Sequence, residues 1–405
     1  MDAGDVEYEP VSVKELLAEM KDTAELMIDM SFSAVLLGST EVAEEVLALE
    51  DRMDVLQMRA RMSLMLAARS PEDAEALAPV LGVVGATEKI SDATGDIAKV
   101  VIEEIGLPDA LRTALPEAVD TVARATVDFR SRLAGRTLAD VNLETETGVR
   151  VIAIRRRGDW LLNPGRDTDL RADDVVLLRG TEDNVAAVYE DATGDSYDAP
   201  EPVEPGIDDL ERAVDSIVLM KNMSELAVDV AYGSVLYDSE ALAEEVAELE
   251  AEVDALESRF EAWTLRAASR VDDPVSLRGL MHLAGSTEVI SDAALEIAEG
   301  VLRGMGTHPV VAEAVFESDE VIVRLTVAHG SGLAGTTLGE KRVKTETGMG
   351  VIAVRHTGDG RTDWEISPGP ETRLHAGDVF IAKGTRAGAS RLAALAGDTS
   401  LDVEN

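Results

Sequence analysis

Gly85 to Ala93 reads GATEKISDA, and Gly285 to Ala293 reads GSTEVISDA. Seven of the nine positions match at an offset of 200. Self-similarity at a fixed offset shows how many times one structural unit is built. Farther along, Glu144 to Arg155 (ETETGVRVIAIR) matches Lys344 to Arg355 (KTETGMGVIAVR) at eight of twelve positions, again at 200. Asn163-Pro164-Gly165 then pairs with Ser367-Pro368-Gly369 at an offset of 204. The second copy therefore carries four extra residues, placed near Gly360 to Asp363 and expected as a longer hairpin loop. The chain is two tandem copies of one module. Between them lies residues 191–206, DATGDSYDAPEPVEPG, whose prolines and acids predict a stiff, extended linker. At ~3.1 Å per residue it reaches about 50 Å, enough for the two halves to lie side by side.

Inside each copy the apolar period changes. Val42, Val46, Leu49, Met53 and Leu56 step by 4, 3, 4, 3, and Leu242, Val246, Leu249, Val253 and Leu256 repeat those steps. That is a seam on a long helix packed lengthwise against others. Gly38 and Ser39 break the first helix from the second, and Ser70-Pro71 followed by Glu72 and Asp73 starts the third. Three antiparallel helices of roughly 25–30 residues are predicted. After Pro108 the pattern turns to short β-branched runs, Val149 to Ile154 and Val175 to Leu178, bounded by Gly, Asn, Pro and Asp. Trp160 to Leu162 reads as a hairpin strand, and Thr137 to Asn142 and Glu182 to Tyr189 as short helices. The fold class is α+β multidomain, with units at 11–107, 117–190, 207–306 and 317–396.

Composition narrows the function. With 79 acidic and 37 basic residues the formal net charge is −42. Nucleic acid is not expected as a partner, because binding phosphates requires clustered cations. Apolar residues make up 45%, so the chain folds rather than remaining an acidic tail. Eight of the 37 cations are Lys, which leaves 29 Arg. Such a balance suits a salt-rich cytoplasm, where screening relieves self-repulsion. There is no cysteine, so disulfides, thiolate metal sites and cysteine nucleophiles are excluded. No signal peptide and no run of ~18 apolar residues is readable, so a cytoplasmic protein is expected.

The β-rich units resemble the C-terminal ligand-sensing domain of TrkA-type potassium regulators, the RCK-C domain. The resemblance rests on Leu133-Ala134-Gly135, Thr137-Leu138, Thr147-Gly148, Val151 to Arg155, Asn163-Pro164 and Val175 to Gly180, with second-copy counterparts through Gly384-Thr385. Asp173-Asp174 departs from the family's Gly-Asp, which is kept at Gly377-Asp378, and an altered turn is expected in the first copy. The helical units are similar to PhoU domains. With its acidic balance the chain looks like a haloarchaeal-type tandem protein. TrkA proteins also carry a dinucleotide-binding domain; here no G-x-G-x-x-G follows a strand, so no NAD site is expected.

Three helices per copy carry Glu-x-x-x-Asp: Glu25/Asp29, Glu50/Asp54 and Glu88/Asp92, then Glu225/Asp229, Glu250/Asp254 and Glu288/Asp292. Carboxylates one helical turn apart repel unless salt, water or a cation intervenes, and hard cations prefer oxygen ligands. The PhoU resemblance implies a divalent or ferric cation, best on the first- and third-helix pairs. In a chain about one-fifth acidic, the other reading is a charged face, as for Glu44, Glu45, Glu244 and Glu245, which read as solvated surface. Gly85, Thr87, Ser91 and Thr94, with Gly285, Thr287, Ser291 and Ala294, read first as close helix packing, the alternative being Ser and Thr hydroxyls that complete the shell of a bound ion. The RCK-C resemblance implies a ligand such as cyclic di-AMP at Ile152, Ala153, Ile154, Arg155, Asn163, Pro164, Ile352, Ala353, Val354 and Arg355. Arg155-Arg156-Arg157 reads either as an anion contact or as a strand end with counter-charges. All five His lie in the second copy without His-x-x-x-His spacing, and no catalytic triad is visible. A non-enzymatic, ligand-sensing regulator acting on a membrane cation transporter or channel is expected, the alternative being a PhoU-like phosphate-signalling protein. Two copies of each unit predict a pseudo-twofold pair within one chain, with Ile152 to Arg155 facing Ile352 to Arg355; the competitor is a homodimer.

Overall fold

The long helices form where the seams predict them. In a computed structural model, α1 (Val13–Leu37), α2 (Thr40–Ala67) and α3 (Pro71–Ile102) make the first bundle. The structure describes residues 13–108, 111, 121–143, 147–162, 164–165, 167–197, 207–304, 320–358, 361–366 and 368–398. Ser39 caps α2 by accepting from the Val42 amide, and Ser70 caps α3 by accepting from the Asp73 amide, with Pro71 in the first turn. All ten seam residues named above are buried.

A small sheet follows, with strands β1 (Thr121–Thr126), β2 (Arg150–Arg156), β3 (Asp159–Leu162) and β4 (Val175–Gly180). Their spatial order is β1-β4-β2-β3, all antiparallel. Two short helices, α4 (Leu138–Val141) and α5 (Glu182–Thr193), complete the unit. The second copy repeats this with α6 (Asp208–Tyr237), α7 (Glu240–Ala268), α8 (Arg278–Leu302), β5 (Glu320–Thr326), α9 (Val343–Thr347), β6 (Met349–Gly358), β7 (Arg361–Ile366), β8 (Val379–Thr385) and α10 (Arg386–Ala396). Its sheet order is β5-β8-β6-β7. Strand β1 was not legible, because Thr121-Val-Ala-Arg-Ala-Thr126 offers few large apolar residues, although Val122, Ala123 and Ala125 are buried.

Both sheets are sandwiched. One face meets its own C-terminal helix, where Ile154, Val176 and Leu178 pack with Val185 and Val188, and Val354, Phe380 and Ala382 with Leu392. The other face meets the helices. A bulge between Val151 and Ala153 leaves Ile152 without a β4 partner, so Ile152 and Ala153 both turn to the helical core; Ile352 and Ala353 do the same. The helical core is continuous through both copies, with α3 lying along α8. Thr87 Oγ1 and Tyr232 Oη are 2.6 Å apart across that boundary, and the Gly279 amide donates to the Gly106 carbonyl at 2.8 Å.

Several expectations need correction. The four extra residues lengthen the two hairpin strands, two residues each, and leave a two-residue connection as in the first copy, so the longer loop expected there is not formed. Pairing ends at Arg156↔Asp159 in the first copy but continues from His356↔Asp363 to Gly358↔Arg361 in the second. The linker starts at Gly194, since residues 191–193 finish α5. Asp173 keeps the turn, adopting φ 66° where Gly377 has φ 94°; a short polar side chain tolerates that left-handed geometry. Gly85 and Gly285 make no close approach, as a Cβ there would meet nothing within 4 Å. Thr87, Ser91, Thr94, Thr287, Ser291 and Ala294 are buried as expected.

Candidate functional site

Where α1 passes α6, Glu25 faces Asp229 and Asp29 faces Glu225, each pair hydrogen-bonded carboxyl to carboxylate. The i, i+4 spacing puts both acids of a helix on one face, and the pseudo-twofold relation of the copies brings those faces together. Four cations surround them. Lys21 reaches Glu25, and Lys221 reaches Glu225 at 2.6 Å, each one turn back on the same helix. Arg179 on β4 meets Asp29 at 2.7 Å and Glu225 at 3.7 Å, and Lys383 on β8 meets Asp229 at 3.8 Å. A cavity of about 380 Å³ opens on this cluster. Its walls come from α1, β4, α6, β6, β7 and β8, so all four domains meet there, with Ile352 and Ile366 as apolar wall.

Burial, and then the neighbouring Glu225, push Asp29 up to about 7. Burial and Glu25 push Asp229 up to about 8. Glu225 and Glu25 are held low despite burial, by Lys221 and Arg179 and by Lys21 and Lys383 respectively. Below about pH 7 each pair thus holds one proton, on the Asp, donated to the Glu.

The third-helix acids lie elsewhere. Glu88 pairs with Arg61 at 3.0 Å, and Lys99 lies 3.6 Å from Glu50. Asp92 is raised by partial burial and by Glu88, Asp54 and Asp96. In the second copy, burial and then Asp292, Glu257, Asp254 and Glu250 raise Glu288 to about 7. Asp292 is raised by burial, Asp254 and Glu296, with Lys89 opposing. The first-helix carboxylates face fixed cations that an incoming metal would have to displace. The second-copy third-helix carboxylates face mainly other carboxylates, but no three of them bring their oxygens within 4.8 Å of one another.

The segments expected to contact a ligand make contacts with helices. Arg155 pairs with Glu45 of α2 at 2.6 Å, and Arg124 of β1 shares that carboxylate at 3.1 Å. Arg355 and Arg324 hold Glu245 at 3.0 and 2.6 Å, and Arg355 also reaches Glu248. The expected facing of Ile152–Arg155 and Ile352–Arg355 is therefore replaced by docking of each segment on the helices. Glu45 and Glu245 are 4% and 2% exposed, which overturns their reading as solvated surface; Glu44 and Glu244 are exposed. Ile154 and Val354 point into the separate sheet cores. Pro164 is half-buried, and Asn163 lies outside the described residues.

Sequence reading missed Lys21, Lys221, Arg179 and Lys383. The signal was present: cations recur at 21/221 and 179/383, and three of the chain's eight Lys converge here. Arg156 donates to both oxygens of Asp174, at 2.8 and 2.6 Å, so its role is a counter-charged strand end.

A four-domain chain of acidic helical bundles and small sheets, joined at a polar cavity, is the class of protein these features define. Family models assign the pieces: TrkA-C domains at residues 122–192 and 322–397, and PhoU domains at 17–101 and 217–301. The chain carries two PhoU domains alternating with two TrkA-C domains. A curated relative, "Probable potassium channel protein 2" of Methanocaldococcus jannaschii, is 30% identical over 86 residues, which is 20% of this chain and 25% of that protein. Among solved structures, PhoU from Pseudomonas aeruginosa is 14% identical, covers 72% of this chain and 96% of its own, and has a TM-score of 0.42. The RCK_C domain dimer of S. agalactiae BusR in complex with c-di-AMP is 23% identical, covers 20% and 96%, and has a TM-score of 0.18.

Proposed function

We propose that this chain is a non-catalytic regulator of potassium transport, acting in the cytoplasm on a membrane cation transporter or channel. The observation that carries the reading is the cavity where both TrkA-C sheets and both PhoU bundles meet across a cluster of opposed charges. A ligand that prefers one packing of these four domains shifts the balance between packings, and a membrane partner reads the shift. While each acid pair holds its proton, two carboxylates remain against the three cations that line the cavity, Arg179, Lys221 and Lys383, with Lys21 beside Glu25, so the cavity favours an anion inside a very acidic chain. A cyclic dinucleotide such as cyclic di-AMP has that chemistry. Segments 152–155 and 352–355 then bear the sheets on the bundles, with Ile352 alone among them in the cavity wall. The match to a potassium channel protein over 86 residues supports the ion, and no helix among the described residues is long and apolar enough to cross a membrane.

A divalent or ferric cation on the helices would have to draw Glu288, Asp292, Glu250 and Asp254 closer than they stand, and at Glu88 and Asp92 it would also compete with Arg61 and Lys99. The PhoU matches favour phosphate signalling as the second reading. Affinity capture of the full chain from solubilised membranes in molar KCl separates the two. A cation transporter is expected, with potassium uptake altered in a deletion strain and restored by the wild type but not by Arg179→Ala with Lys383→Ala. Capture of a phosphate-transport ATPase with unaltered potassium uptake would overturn the potassium reading.

A further inference from the structure

The second sheet carries a group of side chains that the regulatory reading leaves unused. His356 on β6 places Nδ1 2.9 Å from Asp378 Oδ2, and His375, on the turn before β8, places Nδ1 3.6 Å from the same oxygen. The three ligand atoms lie within 4.8 Å of one another, the only such group among the described residues. In a tetrahedral site with ligand bonds of about 2.0–2.1 Å, neighbouring ligand atoms stand roughly 3.3 Å apart. The 2.9 and 3.6 Å separations bracket that edge.

Asp378 is almost completely buried and anchored, accepting from the His375 amide at 2.8 Å, whereas His375 is open to solvent. On the far side of the His356 ring, Nε2 lies 3.2 Å from Glu365 Oε2, and the other Glu365 oxygen accepts from the Thr372 hydroxyl. A ligating histidine ordinarily donates its second ring N–H to a carboxylate that fixes tautomer and orientation. Glu365 occupies that place.

Comparison of the copies sharpens the case. At the corresponding first-copy positions stand Arg156, Leu161, Arg171 and Asp174. There Arg156 closes on Asp174 as a permanent ion pair. In the second copy the aspartate is kept, while Arg156, Leu161 and Arg171 are replaced by His356, Glu365 and His375. Three changes to metal-competent side chains converge on one spot of the second sheet.

We infer that His356, His375 and Asp378 form a binding site for a borderline divalent transition metal, zinc being the type, with Glu365 as the positioning carboxylate and a fourth position open to water. Two imidazoles and one carboxylate select such ions over magnesium or calcium, which take oxygen ligands. A bound ion would tie β6 to the turn before β8, stiffening one sheet and leaving the other unchanged.

The test is zinc titration by calorimetry of the full chain in molar KCl, with cobalt(II) absorption as an independent readout of imidazole ligation. The acidic helices can take up zinc as well, so the decisive quantity is the difference between wild type and His375→Ala, a solvent-exposed change that leaves the fold intact. Wild type is expected to bind one equivalent more than His375→Ala, and to give a tetrahedral cobalt spectrum that the variant lacks. Glu365→Gln should weaken that equivalent by about 10- to 100-fold without abolishing it. Equal stoichiometry and affinity in wild type and His375→Ala, or a cobalt spectrum with oxygen ligands only, would overturn the site.

Discussion

The paired carboxyls between α1 and α6 make stability depend on pH with a sign that can be worked out. Above the ordinary carboxylate range, about pH 4, the unfolded chain holds no proton at residues 25, 29, 225 and 229. The folded chain still holds two, one on Asp29 and one on Asp229, until about pH 7 and about pH 8. While the folded state binds the extra protons, stability falls as pH rises, by about 1.4 kcal/mol per pH unit for each. From pH 6 to 7 both pairs contribute and from 7 to 8 one does, so the loss is about 4 kcal/mol at most, less whatever water entering the cavity recovers. Below the ordinary range the sign reverses, because Glu225 and Glu25 stay ionised in the fold and must be protonated as the chain unfolds. The perturbation is Asp29→Asn with Asp229→Asn. The amides still donate to Glu225 and Glu25 and no longer ionise. Urea unfolding in molar KCl, at steps from about pH 5 to about pH 9, gives the midpoint and slope for each protein. The wild type should lose stability from about pH 5 to about pH 8, with the steeper slope below pH 7, and level off above, while the double variant should be flat throughout and overtake it. A wild-type curve that is level from pH 6 to pH 8, or a double variant with the same slope as the wild type, would refute the shared-proton account.

Other consequences are open to measurement. Glu45→Gln should cost about 2–4 kcal/mol by urea unfolding, since two half-buried arginines lose their partner, whereas Glu44→Gln should stay within about 0.5 kcal/mol. Gly85→Ala should raise stability by about 0.5–1 kcal/mol through helix propensity, because a Cβ there meets nothing. Gly279→Ala should lower it by about 1–3 kcal/mol, because its Cβ would stand 2.6 Å from the Gly106 carbonyl oxygen. The melting temperature should rise from low to molar KCl as screening offsets the net charge of −42, and a temperature independent of KCl would count against that electrostatic reading.

The repeat, the six long helices and most strands were legible because each leaves a periodic trace: the 4, 3, 4, 3 seam, the Ser-Pro start, the β-branched runs. What was not legible depends on faces that meet only after folding. Glu44 and Glu45 look alike in sequence, yet one helical step separates a solvated carboxylate from one holding two arginines. Asp29 and Asp92 share a motif, but only Asp29 lies where the other copy supplies a matching glutamate and the sheet supplies Arg179. His356 and His375 are 19 positions apart, too far for a local motif, and an antiparallel sheet brings them together. In each case the missing information was the register between elements.

The lengthwise contact of α3 with α8 has a consequence for the molecule's history. A polypeptide with one copy would leave that apolar flank of its third helix in water and would be driven to pair with a second molecule about a twofold axis. Its folding would then depend on its concentration. Joining the two copies through one linker makes the encounter intramolecular and supplies the partner at a high, constant effective concentration. It also frees the halves from identity. In a true homodimer any change at the position of Arg156 would appear twice, whereas the fused chain keeps an arginine there in one half and has a histidine in the other.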